Sequence, residues 1–182
     1  MRLLLAAALL AFCAVTQGCG EASRPETVVI SPQRLAGLAV SPATSFRQLR
    51  RFFATPVSAG FDSYGCRLRF RKLGLRAEFI SFADGTATPE TCDIMSGAVA
   101  TTPRWRTPRG LRVGATLHAL HRVYPRADSF GEVGGTHWGL PAEAISWELA
   151  AAPHTGHAAH LVLFAYGKRG RVVALGLQVV GH

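Results

Sequence analysis

Sliding the sequence along itself by roughly 70 residues brings Gly37-Leu38-Ala39-Val40 onto Gly110-Leu111-Arg112-Val113, and self-similarity of this kind is the sequence mark of a duplicated architecture. Each copy continues into a helix start. Ser45 with Gln48 three residues on reads as a capping box, after which Phe46, Leu49 and Phe53 share one helical face. In the second copy Thr116 takes the N-cap position, with Leu117, Leu120 and Tyr124 at the same offsets, so that Leu49 matches Leu120 and Arg51 matches Arg122. Past the helix, each copy runs into strand patterns. In the first, Leu68 and Phe70 alternate with Arg67, Arg69 and Arg71, a period of two that puts apolar groups on one face and guanidinium groups on the other. Gly74 marks the turn, Leu75, Ala77 and Phe79 form the return, and Met95 to Thr101 a third strand. In the second copy Ile145 to Leu149, Leu161 to Tyr166, a turn at Gly167 to Gly170, and Val172 to Val180 are more uniformly apolar, as in the centre of a sheet. The pattern predicts an α+β fold of two tandem repeats, each a helix followed by an antiparallel β-meander, over 28–103 and 104–182 and packed as one compact unit.

The chain's 182 residues are 48% hydrophobic and 17% charged, which excludes a disordered or fibrous protein. Its first eighteen residues read as a signal peptide: Arg2 precedes an apolar run from Leu3 to Val15, too short to span a bilayer, and Thr16 and Gly18 supply small side chains at the cleavage positions. Cleavage there leaves Cys19 at the new N-terminus. Thr16-Gln17-Gly18-Cys19 resembles a bacterial lipobox, departing from it where Leu and a small residue would precede the glycine. That resemblance implies diacylglycerol on Cys19 and a membrane-anchored lipoprotein, with simple secretion as the alternative. Residues 19–27 then form a polar tether.

Cysteine usage fits the same address. Cys13 departs with the signal and Cys19 is lipidated or terminal, which leaves Cys66 and Cys92. In an oxidising compartment their default is a disulfide, two buried thiols being the alternative. Closing such a loop stabilises a domain by about 3 to 4 kcal/mol on the chain-entropy model.

A longer run can be compared with known families: Trp105, Thr107, Gly110-Leu111-Arg112-Val113-Gly114, Leu117, Leu120 and Tyr124-Pro125. It resembles the second half of uncharacterised secreted or lipoprotein families of high-GC bacteria. The duplicated helix-plus-sheet plan is similar to the beta-lactamase-inhibitory-protein-like fold, shared with small outer-membrane assembly lipoproteins. Those resemblances imply protein binding without catalysis, and they transfer no binding residue to this chain.

Candidate chemistry is sparse. His154, His157 and His160, three apart beside Pro153 and Gly156, could share Zn²⁺ or Cu²⁺, although no nearby carboxylate orients them and solvated loop histidines are the plainer reading. His118 and His121 form a helical i, i+3 pair in which His121, between Leu117 and Tyr124, reads as a half-buried packing residue. There is no Gly-x-Ser-x-Gly elbow, no carboxylate pair, no P-loop and no dinucleotide glycine pattern. An enzyme is therefore not expected, a hydrolase ranking third among the readings, and no cofactor is called for. The formal charge is +9, with 18 Arg against 2 Lys. Arg47, Arg50 and Arg51 on the first helix, Arg67, Arg69 and Arg71 on one strand face, and the arginines from Arg104 to Arg112 together offer an anionic surface a partner. Nucleic acid is not expected of an exported chain without interleaved stacking aromatics. The expectation is an exported, lipid-anchored, non-catalytic binding module for an envelope protein or an anionic lipid or wall polymer, with a Zn/Cu-binding protein as the alternative.

Overall fold

The structure, a computed structural model, describes residues 27–53, 58–133, 140–141, 143–152 and 159–181. In chain order its elements are β1 (Val28–Ser31), β2 (Arg34–Leu35), β3 (Leu38–Ala39), α1 (Phe46–Phe52), β4 (Ser58–Phe61), β5 (Gly65–Phe70), β6 (Leu75–Ile80), β7 (Ile94–Ala100), β8 (Trp105–Arg106), α2 (Leu117–Val123), β9 (Ser129–Val133), β10 (Ala144–Ala151), β11 (Ala159–Lys168) and β12 (Arg171–Gly181). A small sheet has the order β3-β2-β1-β8, and a large one β4-β5-β6-β7-β12-β11-β10-β9.

This arrangement corrects the α+β fold of two helix-plus-meander repeats. The structure is mostly β, 50% strand against 12% helical, with two sheets and, among the described residues, two short α-helices. Each helix has seven residues and buries little: Phe46 and Leu49 on α1, Leu120 on α2. Such short helices have no stability of their own, and the strands carry the fold. Pairing also crosses the boundary drawn between the two halves. Ala98, Val99 and Ala100 of β7 register with Leu177, Gly176 and Leu175 of β12. Val28 at the start of the described chain lies parallel to Trp105. Neither long-range pairing leaves a trace in local periodicity.

Local chemistry explains the element ends. Ser45 Oγ accepts from Gln48 N–H at 3.2 Å, and Thr116 Oγ1 from Ala119 N–H at 3.1 Å, each satisfying a helix-terminal donor. Along β5, Cys66, Leu68 and Phe70 are buried while Arg67 and Arg69 are exposed, the alternation that a half-buried strand requires. Gly74 closes the next turn with φ of 59°, and a Cβ there would lie 2.3 Å from Thr102 Cγ2. The β11–β12 hairpin is tighter than its composition suggests, because the ladder continues to Lys168 and Arg171. Arg169 and Gly170 both have positive φ, the signature of a two-residue hairpin turn.

The Cys66–Cys92 pair is at disulfide distance, with Cα atoms 6.0 Å apart. It joins the inner face of β5 to the segment whose Cys92 carbonyl accepts from Phe46 N–H at 2.9 Å, so the cross-link also sets the start of α1. Phe46 and Leu49 press on that inner face, and Trp105, Leu120, Leu163, Leu175 and Leu177 continue the same core. Full burial of each such side chain contributes roughly 1.5–3 kcal/mol. Val162, Phe164 and Tyr166 point to the other face and pack with Val99, Leu140 and Ala174. The Tyr166 ring crosses Gly176, where a Cβ would stand 2.7 Å from Cε2, and its hydroxyl accepts from Gln178 Nε2 at 2.8 Å. Burial pushes this phenol far above its usual pKa, with the Gln178 bond a smaller opposing effect. A Gly176→Ala substitution must displace the ring, and is expected to cost about 1–3 kcal/mol. Thermal unfolding followed by circular dichroism should show the lowered midpoint; an unchanged one would mean that the ring does not rest on Gly176.

Candidate functional site

Because Cys66, Leu68 and Phe70 enter the core, Arg67 and Arg69 project together from the outer face of the large sheet, roughly 6.5–7 Å apart along the strand. Arg71 does not join them. It leaves the strand for a 3-10 turn, Arg71–Leu73, that leads into Gly74, because the hairpin has to reverse where the alternation would have continued. Its place is taken by a residue from the next strand: Arg76 of β6 stands directly opposite Arg69. The alternation of Leu75, Ala77 and Phe79 places Arg76 on this face, but its pairing with Arg69 depends on the register that the Arg71–Leu73 turn imposes.

Registers across the sheet define two rows on this face. One runs Ser58, Arg69, Arg76, Val99, Gly176, Phe164, and the other Gly60, Arg67, Glu78, Gly97, Gln178, Val162. The face is cationic over β5 and β6 and apolar beyond β7. Its charges are not equally compensated. Arg67 Nη2 meets Asp62 Oδ2 at 2.5 Å, both side chains about half exposed. Such an exposed pair contributes at most about 1 kcal/mol. Arg69 and Arg76, by contrast, are like charges in direct register, an arrangement that disfavours the pair. Partial burial lowers the Arg76 pKa first, the Arg69 charge adds to that, and Glu78 opposes it.

The loop beside this face is held by Asp62. Its Oδ1 accepts from Tyr64 and Gly65 N–H at 2.9 and 3.0 Å, an Asx turn. Gly65 is required there, since a Cβ would lie 1.9 Å from the Phe79 carbonyl oxygen. The Tyr64 hydrogen bond, then those of Gly65 and the charge of Arg67, hold the Asp62 carboxyl below its ordinary range. A shallow cleft of about 450 Å³ opens between this loop and β6, lined by Asp62, Tyr64, Arg67, Glu78, Ile80 and Ser96 among others.

The remaining arginines are dispersed. Arg47, Arg50 and Arg51 lie exposed on α1, which covers the inner face of the sheet, so they do not share a surface with Arg67 and Arg69. Arg47 is ion-paired with Glu90. Arg104 donates to the Lys72 carbonyl, and Arg109 lies 5.2 Å over the Tyr124 ring. Arg106 and Arg112 face each other across an isolated bridge.

Of the three clustered histidines, His154 and His157 lie outside the described residues, as does Cys19, and His160 is a half-buried residue of β11. Among the described residues no group of three His, Cys, Asp or Glu side chains is placed to hold a metal. His118 is exposed. So is His121, which corrects its reading as a half-buried packing residue: the short helix buries Leu120, and the His121 ring meets Trp147 only edge-on, at 6.4 Å between centroids. No described helix is long and apolar enough to cross a membrane.

No protein-family model, curated protein or solved structure matches the chain, so the reading of the site rests on its geometry. The Asp62 turn gives that geometry a pH signature. A carboxyl whose folded pKa is depressed contributes stability above its unfolded value and loses it as the pH falls toward the folded one. The wild-type melting midpoint should exceed that of Asp62→Asn at neutral pH, and the gap should close below the ordinary carboxyl value of 3.8. Melting curves of the two proteins between pH 7 and pH 2 check this; a gap that persists unchanged at pH 2 would remove Asp62 ionisation from the turn.

Proposed function

We propose that the protein is an exported, lipid-anchored and non-catalytic binding module, and that the cationic half of its outer sheet face holds an anionic component of the cell envelope, a lipid headgroup or an acidic wall polymer. The observation that carries this reading is the Arg69–Arg76 register beside Arg67. Two guanidinium groups opposite one another repel, and an anion bridging them converts that cost into charge-assisted hydrogen bonds. Arg67, tied to Asp62, presents only part of its donor set outward. Export is supported by the signal-like N-terminus and the Cys66–Cys92 pair, and anchoring by the position of Cys19.

Binding to vesicles containing anionic phospholipid, or to an acidic wall polymer, should weaken strongly between low and physiological salt, because exposed charge contacts are screened. Arg69→Glu should reduce that binding about tenfold or more while changing stability by less than about 0.5 kcal/mol, the usual range for an exposed substitution. Salt-independent binding, or an Arg69→Glu protein that binds as well as the wild type, would overturn the assignment. For the anchor, Cys19→Ala should release the protein from the membrane fraction, and mass spectrometry of the native N-terminus should find acyl groups on Cys19. An unmodified mature N-terminus on the native protein would overturn the anchor and leave secretion as the reading.

A further inference from the structure

A cleft of about 590 Å³ lies where the small sheet meets the end of α1. Its apolar walls include Val28 of β1, Phe52 and Phe53 at the helix end, and Leu73 of the 3-10 turn; two arginines, Arg34 and Arg104, line it, and no carboxylate does among the described residues. Phe52 is 46% exposed although it packs edge-on against Phe53, with ring centroids 4.9 Å apart. An apolar cleft of several hundred Å³ with a few convergent polar groups is the usual form of a small-molecule site.

Arg104 is held unusually well for a surface arginine. Its carbonyl accepts from Val28 N–H at 2.9 Å, and the next residue, Trp105, is fully buried with Nε1 donating to the Leu73 carbonyl at 2.7 Å. The guanidinium is held less well. Nη1 reaches the Lys72 carbonyl only at 3.4 Å, and Nε is buried without a hydrogen-bond partner among the described residues. A buried donor left unmatched is destabilising, and the Nε and Nη2 edge is the one that pairs side-on with a carboxylate. With so long a bond at Nη1, the guanidinium can turn into the cleft when such a group arrives.

We infer that this cleft is a binding site for an amphiphilic monoanion, a medium-chain fatty carboxylate, whose head pairs with Arg104 and Arg34 and whose chain lies on Phe52, Phe53 and Leu73. The site is independent of the sheet face, since none of its residues belongs to β5 or β6.

The test is calorimetric titration of the exported protein carrying Cys19→Ala, so that no detergent is present, with decanoate at monomeric concentrations and with 1-decanol as its uncharged counterpart. Saturable binding of one decanoate is expected, at least about tenfold tighter than decanol, because the charged head makes the extra hydrogen bonds. Arg104→Met keeps the aliphatic stem and should abolish that preference; if it fails to fold, Arg34→Gln at an exposed position should weaken decanoate and leave decanol unchanged. Phe52→Ser should weaken both ligands. Arg69→Glu should alter neither, which separates this site from the anionic surface proposed above. Absence of saturable decanoate binding, equal affinities for decanoate and decanol, or a loss of decanoate binding in Arg69→Glu would each overturn the inference.

Discussion

The ladder between β7 and β12 joins the strands of the two halves of the chain into one sheet, and most of the architecture follows from it. Without it, each group of four strands would end in an unpaired edge, and exposed edges invite pairing with other chains. The seam is built from small residues, with Gly97, Ala98 and Ala100 on one strand and Gly176 on the other. Small side chains have a different use on each face. Inside, Ala98 and Ala100 stand beside Leu177 and Leu175 and leave room for the larger core residues. Outside, Gly176 lets the Tyr166 ring lie across the sheet and reach Gln178.

A second junction closes the structure around Trp105. Its indole donates to Leu73, its backbone lies parallel to Val28, and Thr102 Oγ1 donates to the same Leu73 carbonyl at 3.0 Å. One carbonyl of the turn after β5 thus receives two donors from the segment leading into β8, and this fixes the small sheet against the large one. The turn that carries Arg71 out of the basic face is the turn that organises the cleft at Arg104. The two sites proposed are therefore consequences of one hairpin reversal, although they share no residue.

Among the described residues the charged side chains are mostly guanidinium groups. The described residues offer few carboxylates near one another, and those beside arginines are engaged: Asp62 with Arg67, and Glu90 with Arg47. What distinguishes one arginine from another is its partner. Arg109 rests on Tyr124, Arg67 is paired with Asp62, Arg69 and Arg76 confront each other, and Arg104 has a buried donor without a partner among the described residues. The two proposals rest on the last three: Arg69 and Arg76, which repel across the register, and Arg104, whose Nε has no partner among the described residues.

Much of the local structure was legible in the residues alone. Ser45 and Thr116 announce their helices because an N-cap needs only a side-chain oxygen and the next three residues. The Leu68–Phe70 alternation assigns Arg67 and Arg69 to solvent, since a strand reverses sides at each residue. Cysteine counting leaves Cys66 and Cys92 as the pair. The same reasoning overvalued the helices and carried Arg71 one step too far, because periodicity does not say where a strand must turn. It also grouped the arginines of α1 with those of β5, although the sheet separates them. Only the tertiary structure joined β7 to β12, set Arg76 against Arg69 and brought Arg34, Phe52 and Arg104 around one cleft. Those relations are registers and contacts between segments far apart in the chain, decided by which packing buries the most apolar surface with every strand paired, and a local pattern holds no record of that choice.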